Sequence, residues 1–276
     1  MSPPFPETKP AAALKPGSET WYGDWQNRRH VRLFDSRSRL NDRALVRHFS
    51  RFSDVLLLDG IAKELKAKNV LEVGCATGEF HRYLRQKHPA LCYVGVDLSA
   101  MAIERARQKY PEASFRVCRE DLSVQENLAT MGLDTRFEMV YSKDVLHHQP
   151  DPFRFLEQLR SVSRGALVLR TRTRDTGATV LDPQLSCQHT YEGWVPYIVL
   201  NLQELISFFQ KMDPTAEIRV VRQRTVLGGE KRRFLPKECY LPETGTAETT
   251  VGVLFQTRNP SRVDVRDGLS GEPLND

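Results

Sequence analysis

Apolar residues along this chain fall into short strand-like runs that alternate with stretches of helical spacing. The apolar runs predict five strands, at 69–74, 91–96, 113–118, 136–142 and 165–171. The helical spacing predicts four helices between them, at 78–88, 99–110, 124–130 and 152–162. Each helix is long enough for a right-handed crossover between parallel strands. The pattern therefore predicts an α/β fold, in which a mostly parallel sheet carries helices on both faces.

Two further segments complete the predicted domain, which spans 67–257. A polar, irregular stretch at 172–200 follows the fifth strand and reads as an insertion, and an apolar helical pattern begins near Asn201. The late strands at 216–222 and 249–255 suit an antiparallel pair at the sheet edge. Together these segments predict a Rossmann-like sheet of seven strands.

The chain ends differ from this domain. Apolar positions at helical spacing between Arg37 and Lys66 predict an N-terminal helical extension over 19–66, which we interpret as a lid. Residues 1–18 hold five prolines and no apolar period, so they predict a disordered arm. Residues 258–276 look similar and predict a flexible tail.

Composition narrows the class of protein. Of the 276 residues, 40% are hydrophobic and 27% charged, close to the averages for globular proteins. There is no apolar run of about 18 residues and no secretory signal, which predicts a cytoplasmic protein without a membrane span. The five cysteines form no C-x-x-C pair, which predicts reduced thiols and no metal site. A formal net charge of +5, with acidic residues interspersed, permits nucleic-acid binding but does not indicate it.

The first predicted strand leads into a turn of small residues at Gly74, Ala76 and Gly78, after which a helix begins. Small residues let the backbone approach a ligand, and the first helical turn offers unpaired N–H groups, so a cofactor site is predicted here. A dinucleotide fingerprint would place its third glycine where Glu79 stands, which disfavours NAD.

The segment from Glu72 to Gly78 resembles the glycine-rich loop of class I S-adenosylmethionine-dependent methyltransferases, with Ala76 in place of the middle glycine. The resemblance covers about residues 60–171. It implies that S-adenosyl-L-methionine is the cofactor and that Glu72 lies near its amino-acid end. The loop residues it assigns to cofactor binding are Glu72, Gly74, Cys75, Ala76, Thr77 and Gly78.

Acidic residues end the next two strands. Asp97 lies 19 positions after Gly78, about the separation expected for a carboxylate that binds both ribose hydroxyls. Its neighbour Leu98 belongs to the same predicted site. The alternative is that Asp97 caps the following helix, a role that Ser99 fits better. Asp121 and Leu122 resemble the adenine-contacting stretch of the family, although a solvated turn fits them as well.

The fourth strand ends in a loop from Ser142 to Gln149 that the resemblance places over the reacting methyl group, with Ser142 at the cofactor. The tandem His147-His148 resembles the same loop in small-molecule methyltransferases, including some that methylate sugar hydroxyls. Either histidine is a candidate base, because an alcohol must lose its proton and a neutral imidazole can accept it. Asp144 is a rival base, and both histidines could instead only shape the pocket.

Acceptor-binding candidates follow the fifth strand. Arg170 and Arg172 share one face of an extended segment and could bind a carboxylate or phosphate, although a plain solvated face is the simpler explanation. The aromatic residues Tyr191, Trp194 and Tyr197 in the insertion are either a wall for a ring-shaped acceptor or part of the core. Their surroundings, with Trp21–Trp25, resemble methyltransferases associated with surface glycans.

These features predict a methyltransferase that acts on a hydroxyl of a polar small molecule or glycan. Two alternatives stay open: an RNA or protein methyltransferase, motivated by the positive charge, and a non-catalytic cofactor-binding scaffold. The chain lacks the Asn/Asp-Pro-Pro-aromatic tetrapeptide of base N-methylases after the fourth strand, which argues against methylation of DNA bases. The sequence does not identify the acceptor or the oligomeric state.

Overall fold

A computed structural model describes residues 25, 28–35, 39–182, 185–190, 193–225, 245–257 and 260–268. The helices are α1 (Arg28–Asp35), α2 (Asp42–Phe49), α3 (Ser53–Leu65), α4 (Glu79–Lys87), α5 (Ala100–Lys109), α6 (Val124–Thr130), α7 (Pro152–Ser161) and α8 (Leu202–Met212). The strands are β1 (Asn69–Val73), β2 (Cys92–Asp97), β3 (Ser114–Val117), β4 (Phe137–Lys143), β5 (Ser163–Arg174), β6 (Cys187–Thr190), β7 (Gly193–Pro196), β8 (Leu200–Asn201), β9 (Glu217–Arg224), β10 (Thr246–Leu254) and β11 (Arg262–Gly268). The arm predicted at 1–18 lies outside the described residues.

The main sheet has nine strands in the order β11-β9-β10-β5-β4-β1-β2-β3, with β8 paired to β5. Strands β1 to β5 run parallel, and β10 is antiparallel to both β5 and β9. The predicted α/β class, the five parallel strands and the late antiparallel pair are confirmed. The count of seven is exceeded because β8 and β11 extend the sheet.

Strand β11 lies within the stretch predicted as a flexible tail, so that prediction is wrong for residues 262–268. The strand pairs in parallel with β9. Charged side chains reinforce the pairing, since Arg222 on β9 bonds Asp267 on β11 at 2.6 Å. A short edge strand rich in charge has no apolar run, which is why the hydrophobic pattern missed it.

Helices cover both faces of the sheet. Buried residues of α2, α3, α4 and α5 form one apolar cluster, and those of α6, α7 and α8 belong to another on the opposite face. Helix α3 is part of the core rather than a lid, because Val55, Leu58 and Ile61 are fully buried. A side chain at Gly252 of β10 would lie 2.8 Å from Ile61, so α3 packs directly on the sheet.

A bilayer-spanning helix would have to be long and apolar. None of the helices within the described ranges meets that requirement.

Candidate functional site

The turn after β1 is held in an unusual backbone shape by bonds to β2. The N–H groups of Gly74 and Cys75 both donate to the carbonyl of Val96, at 2.8 and 3.1 Å. Gly74, Ala76 and Gly78 all have positive φ, of 85°, 46° and 82°. A Cβ atom at Gly74 would lie 2.3 Å from the Val145 side chain, so glycine keeps this cradle open.

Asp97, at the end of β2, faces this turn. Its Oδ2 accepts the Ala76 N–H and its Oδ1 accepts the Ser99 N–H, both at 2.8 Å. Burial raises the pKa of Asp97, although the backbone N–H bonds oppose that shift. The Ser99 hydroxyl caps α5 by accepting the Ala102 N–H, which confirms the predicted cap. A carboxylate has about four lone-pair sites, so Asp97 keeps acceptor capacity for a ligand.

Glu72 lies buried beneath the same turn, where the Tyr93 hydroxyl donates to its Oε2. Burial raises the pKa of Glu72 to about 8, with Asp97 and Glu79 adding to the shift and the Tyr93 bond and Lys143 opposing it. A ligand cation beside Glu72 would lower that pKa again, because an opposite charge favours the ionised form. A carboxyl group whose pKa falls beside a cation suits a residue at the amino-acid end of the cofactor, which is the position predicted for Glu72.

The raised pKa of Glu72 makes stability depend on pH. The folded protein holds a proton at Glu72 that the unfolded chain releases near pH 4.5, so this contribution is complete below about pH 4.5 and is lost as pH rises to about 8. We expect Glu72→Gln to flatten the fall in the free energy of unfolding by up to about 1.4 kcal/mol per pH unit within that window. Urea unfolding of both proteins without cofactor, at several pH values, measures this difference. Free energies of unfolding that change with pH in parallel would contradict the raised pKa of Glu72.

The remaining residues of the predicted cofactor group tie the turn to its surroundings. Cys75 is buried, and burial holds the pKa of its thiol well above the usual value. The Thr77 hydroxyl donates to Glu79 at 2.6 Å, and Ser142 donates to the Val73 carbonyl at 3.1 Å. Leu98 is half-buried next to Asp97.

Asp121 lies at the surface. Its side chain is 63% exposed and pairs with Arg119 at 2.6 Å, which lowers the pKa of Asp121. Leu122 is half-buried, and its carbonyl accepts a bond from Asn127 at 3.1 Å. The adenine contact at these two residues stays a prediction.

Asp144 begins the loop after β4 with a left-handed backbone, φ 58°. Arg170 binds both of its carboxylate oxygens, and Arg172 lies 3.1 Å from Oδ1. Burial alone would raise its pKa, but these two arginines hold the pKa of Asp144 well below its usual range. A carboxylate so strongly paired is a poor proton acceptor, which disfavours Asp144 as the base.

The same two arginines are not available to an acceptor. Arg170 and Arg172 have side chains only 11% and 5% exposed, and Glu248 on β10 pairs with both, at 3.5 and 3.1 Å. The solvated alternative is therefore wrong, and the ion pairs with Asp144 and Glu248 disfavour the predicted anion contact. The arginines instead hold Asp144, and with it the start of the loop, against β5 and β10.

The histidine pair follows in a short 3-10 turn, Leu146–His148. The His147 side chain is 1% exposed and its ring lies 5.2 Å from that of Tyr197, while His148 is 8% exposed. The Nδ1 atom of His148 lies 2.7 Å from the carbonyl oxygen of Pro196. The Trp25 ring packs 4.8 Å from His148. The insertion and the N-terminal segment thus meet at His148.

Of the other two aromatic candidates, Trp194 and Tyr191, only the backbone of Trp194 belongs to the described residues. Trp194 lies in β7, which pairs with β6 in a separate two-stranded sheet, and its side chain lies outside the described residues. Tyr191 lies outside them altogether. Tyr197 is 4% exposed and borders both histidines.

Sequence reasoning missed the partners that come from distant parts of the chain. Asp54 on α3, which is fully buried, accepts from the Tyr141 hydroxyl and lies 3.3 Å from the Lys143 ammonium. No motif marks Asp54, and an aspartate in the first turn of a helix reads as an ordinary N-terminal charge. The Pro196 carbonyl is a backbone atom with no side-chain signal.

Metal binding would require several ligating side chains in one place. The described part of the chain contains no group of three or more His, Cys, Asp or Glu side chains arranged to hold a metal ion.

Comparison with known proteins adds independent findings. Residues 37–213 match a family model described as a methyltransferase domain. Over 172 residues the chain is 27% identical to a chloroplastic tocopherol O-methyltransferase of Arabidopsis thaliana, covering 60% of this chain and 48% of that protein. It is 26% identical over 98 residues to a ubiquinone biosynthesis O-methyltransferase of Pasteurella multocida, covering 33% and 40%. It is 30% identical over 121 residues to a tRNA U34 carboxymethyltransferase of Alteromonas mediterranea, covering 42% and 36%. The chain thus spans less than half the length of these relatives.

Solved structures show the same fold at low identity. The plantazolicin methyltransferase BpumL in complex with SAH aligns with a TM-score of 0.52 and 14% identity, covering 86% of this chain and 93% of that one. The N-terminal domain of EvdMO1 with SAH bound aligns at 0.50 and 17%, covering 74% and 82%.

Proposed function

Since the chain belongs to the class I S-adenosylmethionine-dependent methyltransferases, we propose that it methylates a hydroxyl of a small molecule, with His148 as the general base. The cofactor supplies an electrophilic methyl group on a sulfonium ion. The chain must hold that group, align the acceptor oxygen with it and take the acceptor's proton.

The residues at the turn after β1 fit this cofactor. Gly74 and Gly78 leave the backbone open where a Cβ would clash, with Val145 in the first case and Phe115 in the second. Asp97 has acceptor capacity for the ribose hydroxyls, and Glu72 is poised to ionise beside a cation.

The single observation that carries the choice of base is the bond between His148 Nδ1 and the Pro196 carbonyl, at 2.7 Å. A carbonyl oxygen only accepts, so Nδ1 must carry the hydrogen in a neutral ring. The lone pair then lies on Nε2, the atom that can take a proton from a hydroxyl. A bond of this kind at one ring nitrogen fixes which nitrogen acts as base. His147 is more deeply buried, at 1% exposure against 8% for His148.

The surroundings of His148 support a ring-shaped acceptor. Trp25 and Tyr197 bring aromatic rings within 4.8 and 6.0 Å of the imidazole, and such rings pack against the faces of sugars or phenols. Two of the relatives are named as O-methyltransferases, which supports oxygen as the atom methylated. A polar small molecule or glycan hydroxyl, as predicted from the sequence, is the acceptor class we propose.

Cofactor affinity tests the role of Asp97. We expect Asp97→Ala to weaken S-adenosylmethionine binding by about 1 to 3 kcal/mol, roughly 5-fold to 150-fold, because two charge-assisted hydrogen bonds are lost. Titration calorimetry measures the loss, with Asp134→Ala as the control at an exposed aspartate outside the predicted site. Unchanged affinity in Asp97→Ala would refute the ribose assignment.

Transfer of a labelled methyl group to a panel of acceptors tests the proposed function. The panel should contain sugars, nucleotide sugars, phenols, unmodified tRNA and a mixed peptide library, with and without cofactor. Transfer to a small hydroxyl supports the proposal. Transfer to RNA or peptide alone would replace it with the alternative function, and tight cofactor binding with no transfer would support a non-catalytic scaffold. The cytoplasmic location stays a prediction.

A further inference from the structure

The positive charge of this protein is concentrated in its N-terminal helices. Residues 28–51 contain eight arginines, no lysine and only two aspartates. This local excess is larger than the formal net charge of +5 for the whole chain. The charges are thus less evenly interspersed than the composition of the whole chain suggests, and the N-terminal segment carries the surplus.

Six of these arginines lie on or beside helices α1 and α2, and we call them together the arginine face: Arg28, Arg32, Arg39, Arg43, Arg47 and Arg51. All six residues are exposed. Arg43 and Arg47 lie one turn apart on α2, while Arg39 and Arg51 continue the spacing of four on either side of that helix. The described residues offer the six side chains no ion pair.

The two aspartates of this segment are already engaged elsewhere. Asp35 pairs with Lys109 at 2.8 Å and with Arg105 at 3.1 Å, and Asp42 pairs with Arg82 at 2.6 Å. They therefore neutralise residues of α4 and α5 rather than the arginine face. Elsewhere the exposed sheet edge pairs its arginines internally, as Arg222 does with Asp175 and Asp267.

We propose that the arginine face docks this protein on a bilayer that carries anionic phospholipid headgroups. Guanidinium groups bind phosphate oxygens through paired N–H donors, and several cationic side chains on one helical surface attract an anionic leaflet. The proposal does not depend on the acceptor or on the role of His148.

Apolar neighbours favour a lipid surface over nucleic acid. Leu33, next to Arg32 on α1, is 57% exposed and Leu56 on α3 is 39% exposed, so the N-terminal helices carry exposed aliphatic side chains as well as arginines. Helices that lie on membranes combine basic and apolar residues in this way. Proteins that bind single-stranded nucleic acid instead stack bases on aromatic side chains. Among the described residues, all of the exposed large apolar side chains are aliphatic.

The position of the arginine face connects it to the cofactor site. Asp35 pairs with Lys109, which also pairs with Glu79, the residue after Gly78. Phe52, next to Arg51, lies under the Lys143 ammonium at the end of β4, 3.8 Å from its ring centroid. A docked bilayer would therefore lie beside the edge of the sheet where the reaction is proposed, within reach of an acceptor held at the membrane.

Flotation with lipid vesicles tests the proposal on the full chain. Vesicles of phosphatidylcholine alone are compared with vesicles that also contain phosphatidylglycerol, at low and at physiological salt. The variant R43E/R47E/R51E removes half of the arginine face. The matched control is R154E/R164E/R262E, which makes the same change of charge at exposed arginines on other parts of the surface. Thermal unfolding and cofactor titration establish that both variants fold.

We expect the unmodified protein to float only with the anionic vesicles, with binding that weakens as salt rises. The arginine-face variant should lose roughly 100-fold or more in affinity, given the contribution of each arginine near such a surface, and the control should lose far less. Absence of binding to anionic vesicles would overturn the proposal, as would equal losses in both variants. A parallel titration with tRNA identifies the other partner: RNA binding without vesicle binding would assign the face to nucleic acid.

Discussion

Replacing His148 with alanine is expected to slow methyl transfer to a hydroxyl acceptor by roughly 100-fold to 10,000-fold, the usual cost of losing a general base. The Nδ1 bond to Pro196 leaves Nε2 as the proton acceptor of a neutral His148 ring. Cofactor affinity should stay near normal, because the contacts proposed for the cofactor come from β1, β2 and their turns. Single-turnover transfer and calorimetry on the same preparations separate the two effects.

His147→Ala is the matched control for this prediction. His147 is 1% exposed and packs between His148 and Tyr197. Its replacement should therefore lower the free energy of unfolding, while the rate of methyl transfer falls much less than in His148→Ala. The transfer rate of His148→Ala should also lose the rise with pH that titration of a base imposes. Equal rates in the two variants, or a normal rate in His148→Ala, would remove His148 from the mechanism.

Asp54→Ala is expected to destabilise the fold by about 3 to 5 kcal/mol, the cost of removing one partner from a buried ionic cluster. Asp54 is fully buried, and it receives the Tyr141 hydroxyl and lies 3.3 Å from Lys143 and 3.9 Å from Arg170. The substitution leaves these groups with less compensation in a site that water cannot easily reach. The midpoint of urea unfolding measures the loss.

The exposed aspartate Asp42 provides the control. It pairs with Arg82 at 2.6 Å, but its side chain is 52% exposed, so Asp42→Ala should change stability by about 0 to 1 kcal/mol. An equally small loss of stability in Asp54→Ala would contradict the prediction. It would mean that Asp144 and Glu248 alone balance the charges of Lys143 and Arg170.

The cofactor half of the site could be predicted from the sequence because its parts are local. The turn after β1 has positive φ angles at Gly74, Ala76 and Gly78, a conformation that favours small residues. These small residues therefore indicate the turn in the sequence itself. The positions of Asp97 and of the Ser99 cap follow from their places at the end of a strand and the start of a helix. The parallel direction of strands β1 to β5 followed from the alternation of strands and helices.

The acceptor half could not be predicted in the same way. Asp144 read as a base and Arg170 as an anion site, yet each is satisfied by the other across 26 positions of sequence. Asp54 and Tyr141 lie 87 positions apart, and no periodicity reports their contact. Hydrophobic patterning indicates which face of an element is buried, but not which charged groups meet there.

The sequence by itself therefore determined the fold class, the cofactor loop and the family, since these depend on short stretches of backbone geometry and on periodic burial. Only the tertiary structure decided which titratable groups are available for chemistry. It did so for His148 through the Pro196 carbonyl, 48 positions away, and for Asp144 through two arginines of β5. The protonation and availability of a side chain depend on neighbours in space, and folding brings those neighbours from distant parts of the chain.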